Sequence, residues 1–214
     1  MKIFSYRGEY LSSIDVAAAA KQKVGLTALA LDDDGNLYVG DSANGQVLVL
    51  DHRREVKVRF GSPGIGKGEF STISGIAADA ERIYVSDNLA LGVQVFSRHG
   101  RFLAGWGIHE VGRANVSFPS GIAVDAKGRI VLVDQLRHDI KYFAPDGRLI
   151  EQFGGMGTGP GEVGNPADVS IGRGGRVCVA ERGNGRVQVL VPVEGVPPQD
   201  TGRKLRGIPK RAAR

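Results

Sequence analysis

The sequence predicts an all-β fold assembled from repeated four-stranded units. Glycine accounts for 32 of the 214 residues, roughly twice its usual share. Proline is rare at 9 residues, and no low-complexity period is present. This composition favours many short strands joined by tight turns. An internal repeat with a period of 46 to 47 residues supports the same fold class.

The repeat is marked by an acidic residue at the end of a short apolar strand. This residue recurs at steps of 46, 47 and 47, as Asp41, Asp87, Asp134 and Glu181. An aromatic residue followed by glycine stands 19 residues after each of the first three acids, as Phe60, Trp106 and Phe153. Several landmarks held in register over three periods indicate a true structural repeat.

Each period contains four predicted strands. The first, of the GIAVD type, covers 28–32, 75–79 and 121–125. The second covers 37–39, 83–85, 130–133 and 177–179. The third covers 47–50, 93–96, 140–143 and 187–190. The fourth covers 56–60, 102–106 and 149–153. A four-stranded unit of about 45 residues has the size of a β-propeller blade.

Residues 118–154, FPSGIAVDAKGRIVLVDQLRHDIKYFAPDGRLIEQFG, resemble an NHL repeat almost throughout, and so does the Gly-rich linker 61–70. The resemblance extends from residue 1 to about residue 190. It implies the blade geometry of the NHL-repeat β-propeller family, whose members are usually closed rings of six blades. The fourth repeat departs from the pattern, since Asp168 and Gly172 replace the Gly and Asp of its first strand.

About four and a half blades are expected in one propeller domain over 1–191. The blade parts are 1–15, 24–61, 72–107, 118–154 and 165–191. The first part corresponds to the last two strands of a blade, and the last part lacks an outer strand. Three interpretations follow: a piece of a longer propeller, assembly with another chain, or a smaller ring in which the N-terminal strands complete the last blade.

Charge is concentrated in residues 192–214, a basic tail that we expect to be disordered. Six basic residues and no acid lie in 201–214, which leaves 22 basic and 23 acidic residues in 1–200. A nucleic-acid-binding domain carries its basic excess on the fold itself, so nucleic acid is expected as a partner only through the tail.

The chain has no apolar run of transmembrane length and no export signal. We expect a soluble protein, extracytoplasmic only if further sequence precedes Met1.

The strand-end acids suit either a calcium site or turn capping. Because they recur in every repeat, turn capping is the favoured interpretation. Gly61–Gly68 and Gly154–Gly161 lack the ending of a phosphate-binding loop. No catalytic or metal-ligating set is predicted, and no cofactor; bound calcium or zinc is expected only if the chain is part of an enzyme.

Residues that break the repeat on the rim formed by blade linkers and second-to-third-strand loops are the best binding candidates. They are Lys67, Arg113, Asn115, Gln135, Arg137, His138, Arg182, Asn184 and Arg186. The arginines suit acidic side chains or phosphates. The favoured function is a non-catalytic scaffold that binds a protein or peptide on this rim. The alternatives are a fragment of a propeller enzyme, either a metal-dependent lyase or a lactonase-like hydrolase, and an RNA-binding NHL domain.

Overall fold

The N-terminal segment forms a two-stranded hairpin and one short helix. The computed structural model describes residues 1–107 and 112–191. Strand β1 (Lys2–Phe4) pairs antiparallel with β2 (Tyr10–Ser13). Helix α1 (Val16–Ala20) follows, with the carboxylate of Asp15 as its N-cap. Residues of β1 and α1, together with Ile14 between the hairpin and the helix, pack against the first full sheet of the chain.

Four antiparallel sheets follow, in which the strand order matches the sequence order. Blade 1 contains β3 (Leu26–Leu31), β4 (Leu37–Asp41), β5 (Gln46–Leu50) and β6 (Val56–Phe60). The following linker contains the short parallel pair β7 (Ser62–Pro63) and β8 (Glu69–Phe70). Blade 2 contains β9 (Ile73–Ala78), β10 (Arg82–Asp87), β11 (Gly92–Ser97) and β12 (Phe102–Gly107).

Blade 3 contains β13 (Pro119–Val124), β14 (Ile130–Asp134), β15 (Asp139–Phe143) and β16 (Leu149–Gly154). Blade 4 contains β17 (Pro166–Ile171), β18 (Val177–Glu181) and β19 (Arg186–Leu190). The first strands of neighbouring blades, β3, β9, β13 and β17, lie side by side. This is the radial arrangement of a β-propeller, and the prediction of an all-β propeller made of four-stranded blades is confirmed.

The hydrophobic core lies between the blades rather than within them. Strand β5 shows the pattern: Val47 and Val49 pack towards blade 2, whereas Leu48 and Leu50 pack towards α1 and the N-terminal hairpin. Both faces of the strand are therefore covered, which explains why a strand of almost continuous apolar sequence is stable in water. Equivalent clusters join blade 2 to blade 3 and blade 3 to blade 4.

The N-terminal hairpin is placed next to blade 1. Ile14 and Val16 pack against Leu37 and Val39 of blade 1. Among the described residues, β1 and β2 form a sheet of their own and do not join β17–β19. The interpretation in which the N-terminal strands complete the last blade is thus not the arrangement seen. No helix among the described residues has the length and apolar character needed to cross a membrane.

Candidate binding rim

Blade linkers and second-to-third-strand loops meet at one rim, which we call the linker rim. Asp87 shows how they are joined. Its carboxylate accepts hydrogen bonds from the amides of Ser71 and Thr72 in the linker, at 2.8 and 2.9 Å. It also accepts from the amides of Leu89 and Ala90 in the loop, both at 2.8 Å. One buried acid therefore fixes both segments of the rim.

The other strand-end acids have the same structural role. Asp134 accepts four backbone amides from the linker and the loop of blade 3. Burial opposes ionisation of Asp41, but hydrogen bonds from Gln46, Gly25 and Asn44 outweigh it and lower the pKa of this carboxyl. The pKa of Glu181 is lowered in the same way, with Arg186 the strongest donor. Across residues 1–107 and 112–191, no group of three or more His, Cys, Asp or Glu side chains is arranged to hold a metal ion.

Glutamines on the third strands hold the Gly-rich linkers in place. The side chain of Gln94 accepts from the Gly68 amide at 2.8 Å and donates to the Glu69 carbonyl at 2.7 Å. Gln188 binds the second such linker through the equivalent contacts to Gly161 and Glu162. These glycine loops are folded around a glutamate instead of a ligand. At Gly64, for example, a Cβ atom would lie 2.2 Å from the Glu69 carboxylate.

Blade 3 replaces this glutamine with a buried lysine. Lys141 binds the carboxylate of Asp139 and lies 3.8 Å from that of Asp134. Arg137 approaches Asp139 from the rim, with 3.6 Å between guanidinium and carboxylate. Arg113 donates from its guanidinium to the side chain and the carbonyl of Gln152 on β16. Blade 3 therefore carries a polar cluster in a region where the sequence departs from the repeat.

Several sequence-predicted site residues are occupied by contacts within the fold. The guanidinium of Arg186 donates to the carbonyls of Thr158 and Glu162, at 2.6 and 2.8 Å, and to Glu181. Asn184 donates to the Gly157 carbonyl at 2.8 Å.

Two further candidates also bind neighbouring segments of the rim. Nδ1 of His138 accepts the amide of Asn165 at 3.0 Å, which joins the blade 3 loop to the linker that follows it. The side chain of Asn115 accepts a hydrogen bond from the hydroxyl of Ser117.

Three basic candidates face solvent on the linker rim. Lys67 and Arg182 are exposed and make no side-chain ion pair with another described residue. Arg137 is also exposed, apart from its contact with Asp139. Gln135 is half-buried. The rim thus presents positive charge from blades 3 and 4 and from the first Gly-rich linker.

Of the apolar residues on the rim, the sequence singles out only Leu136, as a departure from the repeat. Four large apolar side chains are exposed there: Ile65, Leu89, Leu136 and Met156. Among the described residues, the turns at the opposite rim of blades 1 to 4 carry only one, Val191 after β19. A comparison of the repeats could have indicated two of them. Leu89 and Leu136 occupy a loop position that is Ala43 in blade 1 and Gly183 in blade 4.

Comparison with known proteins agrees with this geometry. The family model described as "NHL repeat" matches residues 164–190, which include strands β18 and β19. No curated protein matches the sequence. A streptogramin B lyase structure is similar with a TM-score of 0.61 at 16% identity, over 78% of this chain and 52% of that chain. A virginiamycin B lyase from Staphylococcus aureus gives 0.61 at 14% identity, over 94% and 64% respectively.

A nidogen/laminin complex is also similar, with a TM-score of 0.58 at 21% identity, over 78% of this chain and 60% of that chain. This chain therefore spans between 52% and 64% of the length of these three structures. The fold and the rim define a β-propeller repeat protein. Residues 164–190 of this protein match the NHL repeat. At such identities the structural similarities show the fold alone.

Proposed function

We propose that the chain is a non-catalytic binding scaffold whose linker rim recognises a protein or peptide. The observation that carries this proposal is the exposure of Ile65, Leu89, Leu136 and Met156 on one rim. Exposed apolar patches mark interaction sites, and these four side chains stand in the linkers and loops of one rim. Loops held by a rigid scaffold commonly carry such sites, and the strand-end acids fix these loops firmly.

The charges of the rim favour an acidic ligand. Lys67 lies two residues from Ile65, and Arg137 directly follows Leu136. Apolar anchors surrounded by exposed cations suit a ligand in which apolar residues alternate with carboxylates. Arg186 is not part of this surface, because its guanidinium is used by the carbonyls of the linker.

Selection of a random-peptide display library against the purified chain tests the proposal. We expect enriched peptides that combine apolar and acidic residues. The double variant Leu89→Ser, Leu136→Ser should weaken binding of an enriched synthetic peptide by about tenfold or more. Leu103→Ser is the matched control, since Leu103 is also exposed but lies on outer strand β12. Equal binding to both variants, or no enrichment, would contradict the proposal.

Metal analysis distinguishes this scaffold from the enzyme alternative. The strand-end carboxylates are already used by backbone amides, so we expect no bound metal at them. Stoichiometric calcium or zinc in the purified protein would overturn the scaffold proposal and favour a metal-dependent lyase or a lactonase-like hydrolase.

A further inference from the structure

We propose that the free face of the N-terminal hairpin, formed by β1 and β2, is a docking surface for a further β-blade whose outer strand ends in an aromatic residue. Within this structure, blades 2 and 3 each receive the blade before them through the same kind of interface. The interfaces between blades 1 and 2 and between blades 2 and 3 therefore define what the equivalent face of the hairpin accepts.

The N-terminal hairpin has the geometry of the third and fourth strands of a full blade. In the hairpin, the strand pairing shifts at Phe4, which lies opposite Tyr10. In blade 2 it shifts at Phe96, which lies opposite Phe102. The rings of the first pair are 5.9 Å apart at 73°, and those of the second pair are 5.8 Å apart at 81°. The two hairpins thus present the same aromatic arrangement.

In blade 2, this arrangement is covered by the end of the outer strand of blade 1. The ring of Phe60 lies 4.6 Å from that of Phe96. The turn of the hairpin adds a second contact, because a Cβ atom at Gly100 would lie 2.7 Å from Phe60. Trp106 covers blade 3 in the same way, at 2.8 Å from the Cβ position of Gly147. An aromatic strand end is therefore the part that fills the space beside this glycine turn.

The N-terminal hairpin has the same aromatic pair and glycine turn, but no outer strand of another blade covers them. Phe4 is 52% exposed and Tyr10 is 58% exposed. Gly8 has the same left-handed backbone as Gly100, with φ of 83° and 79°, yet no atom lies within 4 Å of its Cβ position. The uncovered face is thus apolar and shaped like one that receives an aromatic ring elsewhere in the chain.

The aromatic strand ends of this chain are already in use. Phe60, Trp106 and Phe153 are each buried in their own interface. A second copy therefore has no free aromatic strand end among its described residues. Residues 192–214 contain no aromatic residue. The occupant is consequently a blade from outside residues 1–214, with an aromatic residue followed by glycine at the end of its outer strand.

Within the described part of blade 4, up to residue 191, the free face does not offer an equivalent surface. In blade 3, Gly121 lies under the next blade, and a Cβ atom there would be 2.7 Å from the Cα of Asp168. Asp168 occupies the same repeat position in blade 4 and carries an exposed carboxylate. A blade placed there in the same way would collide with this side chain. The aromatic docking surface is therefore specific to the N-terminal side.

An extension of the chain by one repeat tests the proposal. A copy of residues 46–92 fused directly before Met1 continues the register, since Met1 corresponds to Val93. It places a copied Phe60 over Phe4 and Tyr10. We expect amide hydrogen exchange in β1 and β2 to slow by about tenfold or more relative to the unextended chain.

The matched control is the same extension with the copied Phe60→Ser, which should lose most of this slowing. Equal slowing in both extensions would overturn the proposal, because it would not depend on the aromatic strand end. An extension that stays protease-sensitive and leaves exchange in the hairpin unchanged would also overturn it.

Discussion

The ammonium group of Lys141 lies 3.8 Å from the carboxylate of Asp134, and both side chains are fully buried. Asp139 binds the same ammonium from the neighbouring position on β15. Burial lowers the pKa of Lys141, and the two carboxylates only partly counteract this effect. Blades 2 and 4 have Gln94 and Gln188 at this position. In blade 3, a charged cluster therefore replaces the uncharged hydrogen bonds that hold the linker in the other two blades.

Replacement of Lys141 should lower the free energy of unfolding substantially. Lys141→Met leaves two buried carboxylates without their shared cation, and we expect the free energy of unfolding to fall by about 3–5 kcal/mol. Lys57→Met is the control, because the exposed Lys57 also pairs with two acids and, in contact with water, should contribute far less to stability. Urea denaturation of both variants measures the difference. Similar losses would show that burial of the charge cluster contributes little.

The carboxyl group of Asp32 should make the free energy of unfolding depend on pH. Burial opposes its ionisation, but hydrogen bonds from Asn36, Tyr38 and Arg98 outweigh it and lower the pKa to about 2 from 3.8. A carboxyl with a lowered pKa in the folded state stabilises the fold above its unfolded pKa and loses this contribution as the pH falls towards the folded pKa.

We therefore expect the free energy of unfolding to decrease between roughly pH 4 and pH 2 as this carboxylate is protonated. Arg98 extends from blade 2 to Asp32 of blade 1, so the loss weakens the contact between the two blades. In Asp32→Asn, urea denaturation should show a flatter pH dependence over this range. An unchanged slope would contradict the assignment.

Glycines in the third-to-fourth-strand turns should differ in their tolerance of a side chain. Gly147 has φ of 90° and lies against Trp106, whereas Gly8 has φ of 83° and open space at its Cβ position. Both alanine variants incur the strain of a left-handed backbone, about 1–2 kcal/mol. Gly147→Ala must also displace the indole ring.

Thermal unfolding should therefore show a larger decrease in Tm for Gly147→Ala than for Gly8→Ala. Equal decreases would mean that the contact between turn and ring contributes no stability.

The strands could be predicted because each carries a local signal. In β5, Val47 to Leu50 form a short, continuous apolar run between turn residues, and this run fits a strand buried on both faces. Phe60 could be placed in the core because an aromatic residue recurs there at the period of the repeat. Such positions depend mainly on what every blade shares, so repetition in the sequence reveals them.

The rim could not be resolved in the same way. Arg182 and Arg186 lie four residues apart at one loop, yet Arg182 faces solvent while Arg186 binds the carbonyls of a linker more than twenty residues away. Lys141 stands in an alternating strand, where a lysine is normally expected to face water. Which of these side chains is free depends on the approach of a neighbouring segment, and no local pattern in the sequence encodes that approach.

The basic tail should account for any affinity of the chain for RNA. Residues 201–214 contain six basic residues and no acid, whereas 1–200 contain 22 basic and 23 acidic residues. Phosphate contacts made by lysine and arginine dominate sequence-independent binding and weaken as salt rises. The tail lies outside the described residues, so this prediction rests on its composition.

Deletion of 201–214 should abolish binding of a single-stranded RNA probe in a fluorescence anisotropy titration, and the full chain should bind the probe less tightly at higher salt. Selective binding of one RNA sequence by the truncated chain would instead locate the RNA site on the propeller itself.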